Sequence, residues 1–311
     1  MSQPVINKTR SLNGRTYTDP DFRIDFIGIG APKSGTTWLA DCLRPHPQIF
    51  VPEQKELMYF NSCQNTYDII DNYRYGKPLE WYHVFFKDAG PAQIKGEITP
   101  SYLEIENSAA DIYKYNPDIK LIVILRDPVE KAHSLYRFYL QKSYVEYPTF
   151  AEAIEKAPFL LGNSRYYTHL KRYFDLFPRE NIKVLFYEDL RADNKKFIKE
   201  VEDFLGVAEF YPDNLDRRSN ETTTARVEWV NRVLKQIRAL IHKNNLQFLL
   251  PFLKKTGITP LAEYIRDTLN ARKIDRTNQL DPDLKQRLRA YFREEMENLE
   301  NLLQTDLSRW K

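Results

Sequence analysis

The segment Gly30-Ala31-Pro32-Lys33-Ser34-Gly35-Thr36-Thr37-Trp38 sets one lysine and three hydroxyls among glycines, after an apolar run and before a helical pattern. Those residue types at that spacing suit a bound anion. Backbone N–H groups at a helix N-terminus, the helix dipole and a lysine ammonium together make a cradle for phosphate. The chain has only ten glycines, yet Gly28, Gly30 and Gly35 fall within eight residues. The same residues would also build an ordinary capped βα turn. The order is not that of a Walker A loop, GxxxxGK[ST], because Lys33 stands two places before Gly35 instead of following it. A second apolar run, Leu121 to Leu125, ends in Arg126 and then Asp127, so a cation comes before the carboxylate that a metal-nucleotide site needs. A metal-dependent P-loop nucleotide kinase is therefore the weaker reading, kept as the alternative beside a non-catalytic nucleotide-binding protein.

Short β-rich runs alternate with helical patterns along the chain, and that alternation predicts a parallel sheet flanked by helices. Ile24 to Ile29, Leu121 to Leu125 and Ile182 to Tyr187 read as strands, with weaker ones at Gln48 to Val51 and Gln93 to Ile98. Helices are expected at Thr36 to Leu43, Leu79 to Phe86, Pro128 to Gln141, Ser164 to Phe177, Asn194 to Leu205, Val227 to His242 and Pro282 to Leu303. Tyr211 to Thr224 reads as a long surface loop of the kind that serves as a lid. No internal repeat marks a second domain.

Composition narrows the class. The 311 residues are 42% hydrophobic, with 20 Tyr and 18 Phe, which excludes a disordered or collagen-like chain. Forty-six basic against 43 acidic residues leave a net charge of +3, so nothing predicts a nucleic-acid partner and any anion site must be local. Two cysteines and five scattered histidines offer neither a disulfide framework nor metal-ligand spacing, so no metal is expected and a reducing compartment is. Met1 to Pro20 is polar, and no run of 18 apolar residues follows. The expectation is a flexible segment over residues 1–21, one domain over 22–311, no transmembrane segment and a cytoplasmic location.

The loop resembles the 5′-phosphosulfate loop of sulfotransferases that use 3′-phosphoadenosine 5′-phosphosulfate (PAPS). Leu125-Arg126-Asp127-Pro128-Val129-Glu130-Lys131-Ala132-His133-Ser134 is similar to that family's 3′-phosphate element. Lys55-Glu56-Leu57-Met58-Tyr59-Phe60 resembles the acidic segment of heparan sulfate sulfotransferases, and Gly96-Glu97-Ile98-Thr99-Pro100-Ser101-Tyr102 the segment after it. Further likeness lies in Asn163-Ser164-Arg165-Tyr166-Tyr167, Phe186-Tyr187-Glu188-Asp189-Leu190 and Asp306-Leu307-Ser308-Arg309-Trp310. It covers nearly the whole chain from about residue 22.

The resemblance implies a single α/β domain with a central parallel sheet, related to P-loop nucleotide kinases. It also implies an O-sulfotransferase that moves a sulfuryl group from PAPS to a hydroxyl without a metal and releases 3′-phosphoadenosine 5′-phosphate (PAP). Lys33, Ser34, Gly35, Thr36, Thr37 and Trp38 would hold the 5′-phosphosulfate, with Lys33 also stabilising the leaving oxygen. Arg126 and Ser134 would bind the 3′-phosphate. Glu56 would be the general base, with Glu53, Glu97, His83 and His133 as competitors. Two departures are clear: Ile98 stands where the heparan sulfate enzymes carry a second lysine, and Arg226, in a segment without glycine, takes the place of a cofactor-loop lysine. The acceptor class stays open among glycans, lipids and small or carrier-bound metabolites.

Overall fold

The computed structural model describes residues 22–62, 74–141, 144–216, 224–225, 271–272 and 280–310. Contacts group the chain into two units, Met1–Ile124 with Arg172–Arg217 and Leu125–Lys171 with Arg218–Lys311.

The first unit is built on a sheet. Phe26–Gly30 (β1) is buried along its whole length, as a continuous apolar run demands of a central strand. Ile49–Phe50 (β2), Ile94–Ile98 (β3), Lys120–Leu125 (β4) and Ile182–Phe186 (β5) complete five strands in the order β2-β3-β1-β4-β5. β1 runs parallel to β3, with Gly28 opposite Ile98, and parallel to β4, with Ile27 opposite Leu121. β2 runs parallel to β3. Gly96 is required by the pairing, since a Cβ there would lie 2.4 Å from the Phe26 ring. The expected α/β architecture with a parallel sheet is the observed one.

One hydrophobic cluster packs Phe26, Ile98 and Ile124 of the sheet against Leu39 of Thr36–Leu43 (α1) and Phe197 and Val201 of Asn194–Leu205 (α9). Asp193 caps α9 through the Lys196 amide, and Gly206 ends it at a positive φ, the two ends a helix of this kind needs satisfied. Leu79–His83 (α2), Ser108–Tyr115 (α3) and Tyr187–Ala192 (α8) also belong to this unit. The expected helix from Leu79 changes to a 3₁₀ turn over Val84–Phe86.

In the second unit, Pro128–Gln141 (α4) begins where expected. Asp127 Oδ1 accepts from the Val129 and Glu130 amides at 2.9 and 3.1 Å, which makes this carboxylate a helix cap. Phe150–Lys156 (α5), Phe159–Gly162 (α6) and Tyr166–Phe174 (α7) follow, the last shorter than the expected Ser164 to Phe177. Thr224–Ala225 (β6) pairs antiparallel with Ala271–Arg272 (β7), so Thr224 belongs to a strand and not to a loop. The helix expected over Pro282 to Leu303 divides into Pro282–Tyr291 (α10) and Arg293–Leu303 (α11). The interruption is confined to Phe292, where ψ is 1°, and the Phe292 amide still donates to the Leu288 carbonyl. The helix expected at Val227 to His242 and the segment 1–21 lie outside the described residues.

Candidate active site

The loop between β1 and α1 reverses the chain through two left-handed residues, Lys33 at φ 66° and Gly35 at φ 92°. No side chain caps α1, and its first turn holds no acidic residue. The first N–H groups of the helix are thus kept from any carboxylate of their own turn, the arrangement an anion uses. Ser34 is fully buried with no hydrogen-bond partner for its Oγ, an orphaned donor inside the loop. Lys33, Gly35 and Thr37 are half-buried, and Thr36 is buried. The Trp38 indole packs edge-on to Phe197 in the core and donates to the Leu215 carbonyl at 2.8 Å.

The segment 56–60 is held at the end of β3 and the turn after it, the amides of Glu56, Met58 and Phe60 donating to the Ile98 carbonyl and the Thr99 and Tyr102 hydroxyls. Lys55 Nζ donates to Thr37 Oγ1 at 2.9 Å and stands 3.3 Å from Glu56 Oε1, so one ammonium joins the phosphate-type loop to the carboxylate of Glu56. The Glu56 side chain is 40% exposed and its backbone takes φ 63°, while its amide donates to the Ile98 carbonyl at 3.3 Å. Arg74 fixes the same segment by donating to the Glu56 and Leu57 carbonyls at 2.5 and 3.2 Å. A partly exposed, tethered carboxylate beside an anion cradle is suited to taking a proton.

The other bases considered from sequence are placed differently. Glu97 is buried and accepts from the hydroxyls of Tyr82, Tyr102 and Thr99 at 2.8, 3.0 and 2.7 Å. Burial pushes its carboxyl up, and those hydroxyls with the Leu57 backbone pull it partly back. Three donors and no open face make Glu97 a support for the 55–60 segment. His83 is buried in an aromatic cluster, edge-on to Phe22, with Nε2 3.1 Å from the Tyr115 hydroxyl. Glu53 is exposed, and His133, in the second unit, is buried against Phe150.

In the second unit, Arg126 follows β4 and its guanidinium lies 3.9 Å from Glu130, which Lys285 reaches at 2.5 Å. Burial pushes the Glu130 carboxyl up, but the Lys285 hydrogen bond and the charges of Lys285 and Arg126 outweigh it and hold the group low. Ser134 is half-buried on α4. Arg137, one turn further along that helix, was not singled out by the sequence pattern. Burial and then the charge of Arg126 lower its guanidinium, and its buried Nε has no hydrogen-bond partner. Two guanidiniums that repel, one with an orphaned donor, fit a multiply charged anion. The available signal was its place three residues after Ser134, on one helix face. Arg226 lies outside the described residues. Among the described residues no group of three or more His, Cys, Asp or Glu is arranged to hold a metal ion, and no helix is long and apolar enough to cross a membrane.

Residues 23–300 match the sulfotransferase domain family. The chain is 38% identical over 120 residues to the membrane-associated sulfotransferase kil1 of Dictyostelium discoideum, covering 38% of this chain and 23% of that protein. It is 31% identical over 193 residues to human heparan sulfate glucosamine 3-O-sulfotransferase 5, covering 58% of this chain and 53% of that one. The chain thus spans about half, or less, of the length of these relatives. Among solved structures it resembles a sulfotransferase from Alicyclobacillus acidocaldarius, with a TM-score of 0.67 and 23% identity over 93% of this chain and 99% of that one.

Proposed function

The chain belongs to the sulfotransferase family, and on that premise we propose that it transfers a sulfuryl group from PAPS to a hydroxyl of an acceptor. The observation that carries this reading is the join of cradle and base: Thr37 of the loop and the Glu56 carboxylate share the Lys55 ammonium. An uncapped helix N-terminus, a loop lysine and the orphaned Ser34 hydroxyl fit a phosphosulfate. When bound, PAPS supplies the sulfuryl group and a phosphate leaving group. Gly35, Thr36 and Thr37 hold its 5′-phosphate with amide and hydroxyl donors, and Lys33 neutralises charge that grows on the leaving oxygen. Arg126, Ser134 and Arg137 take the 3′-phosphate. Glu56 accepts the proton of the acceptor hydroxyl as that oxygen attacks. In-line positioning does the remaining work, as in phosphoryl transfer.

A carbohydrate hydroxyl is the acceptor class to test first. Relatives named for heparan sulfate glucosamine point that way. So does Tyr59, three residues after Glu56 and stacked on Tyr82 and Trp81 at 4.6 and 6.2 Å, since aromatic faces suit sugar rings. The domain is proposed to run over residues 22–311, in a reducing, cytoplasmic setting that accords with the free thiol of Cys42. The reading is tested by melting the protein with PAP or with ATP and Mg²⁺. Stabilisation by PAP supports it, and stabilisation by ATP with Mg²⁺ alone returns the assignment to a nucleotide kinase.

A further inference from the structure

Lys55 occupies a position that neither loop nor base explains. Its ammonium has three N–H donors and no acceptor, and a threonine hydroxyl has one donor and two acceptor sites. In the contact at 2.9 Å, therefore, Lys55 donates and Thr37 Oγ1 accepts. The Thr37 hydroxyl hydrogen is then left to point elsewhere. Thr37 lies in the first turn of α1, beside the uncapped amides, where a hydroxyl must donate if it is to bind an anion. Without Lys55 the hydroxyl is able to turn and donate to a neighbour instead.

We infer that Lys55 is a positioning residue for the 5′-phosphosulfate: it fixes the Thr37 hydroxyl as a donor to the bound anion and brings a second positive charge to the cradle. The inference rests on the proposed use of PAPS. The Lys55 side chain is only 20% exposed, so its charge acts at a partly desolvated point where it is screened less than a surface lysine. Its link to Glu56 holds the ammonium at the loop even when no ligand is bound. The backbone next to Lys55 is fixed as well, since the Glu56 amide donates to the carbonyl of Ile98, which is buried in β3.

The test is isothermal titration of PAP and of adenosine 3′-phosphate, which lacks the 5′-group, into wild type, Lys55→Met, Lys55→Arg, Thr37→Val and the Lys55→Met/Thr37→Val double variant. Lys55→Met is expected to weaken PAP about tenfold or more, the size of a lost charge-assisted contact. Adenosine 3′-phosphate should bind it as it binds wild type, and Lys55→Arg should recover most of the loss. The double variant should bind PAP little more weakly than Lys55→Met, because both changes remove one interaction. Additive losses, or equal losses for both ligands, overturn the inference and leave Lys55 a structural tether. Wild type that binds PAP with Lys55→Met unchanged overturns this inference alone. Wild type that fails to bind PAP overturns it together with the reading it rests on.

Discussion

Gly35 and Leu190 meet so closely that a Cβ on the glycine would lie 2.8 Å from Leu190 Cδ2, and Gly35 also holds φ at 92°. Gly35→Ala therefore carries both a clash and left-handed strain, together about 1–3 kcal/mol. A lower melting temperature and loss of stabilisation by PAP are expected, because the strain falls on the residue that opens α1. Adding Leu190→Ala should relieve the clash and restore part of the affinity. An unchanged melting temperature in Gly35→Ala would show that the loop tolerates a side chain there.

Glu97 gives a pH signature. Burial raises its carboxyl in the folded protein despite three hydroxyl donors. A carboxylate raised on folding binds its proton more tightly in the native state, so it stabilises fully below the unfolded pKa. That contribution is lost as the pH climbs to the native value. Denaturant unfolding of wild type and Glu97→Gln across about pH 4 to 8 should show wild type losing ground to the variant as the pH rises. A constant difference between the two would contradict the burial of an ionisable group at that point.

Much of this is legible in the amino-acid sequence. The runs around Ile27 and Ile122 read as central strands because nothing polar interrupts them. The loop read as an anion site because its glycines, lysine and hydroxyls are contiguous. Glu97 did not, because its environment is assembled from Tyr82, Thr99 and Tyr102, which reach it only once β3 has met α2 and the chain after it. Lys55 was hidden for the same reason, its partner Thr37 lying 18 residues away. At Phe292 no proline or glycine marked the break between α10 and α11.

Arg126 should decide nucleotide choice. Arg126→Ala is expected to weaken PAP by roughly tenfold to a hundredfold, the range of a charge-assisted contact. Binding of adenosine 5′-phosphosulfate, which has no 3′-phosphate, should be unaltered. Titration of both ligands checks this, and equal losses for the two would remove Arg126 from the 3′-phosphate assignment.

Trp38→Phe separates packing from binding. The change removes the donor to the buried Leu215 carbonyl, at a cost of about 1–3 kcal/mol. The melting temperature should fall while PAP affinity stays within about twofold, since only a core contact is lost. A selective loss of PAP binding with normal stability would return the indole to the ligand site.

The account is tested most directly by sulfuryl transfer from ³⁵S-labelled PAPS to glucosaminyl oligosaccharides, phenols and aliphatic alcohols, run with wild type and Glu56→Gln. Wild type should label at least one hydroxyl class. Glu56→Gln should keep its affinity for PAP and lose about 10²- to 10⁴-fold in rate, as expected of a missing general base. Full activity in Glu56→Gln, or binding of ATP with Mg²⁺ and none of PAP by wild type, would contradict the account.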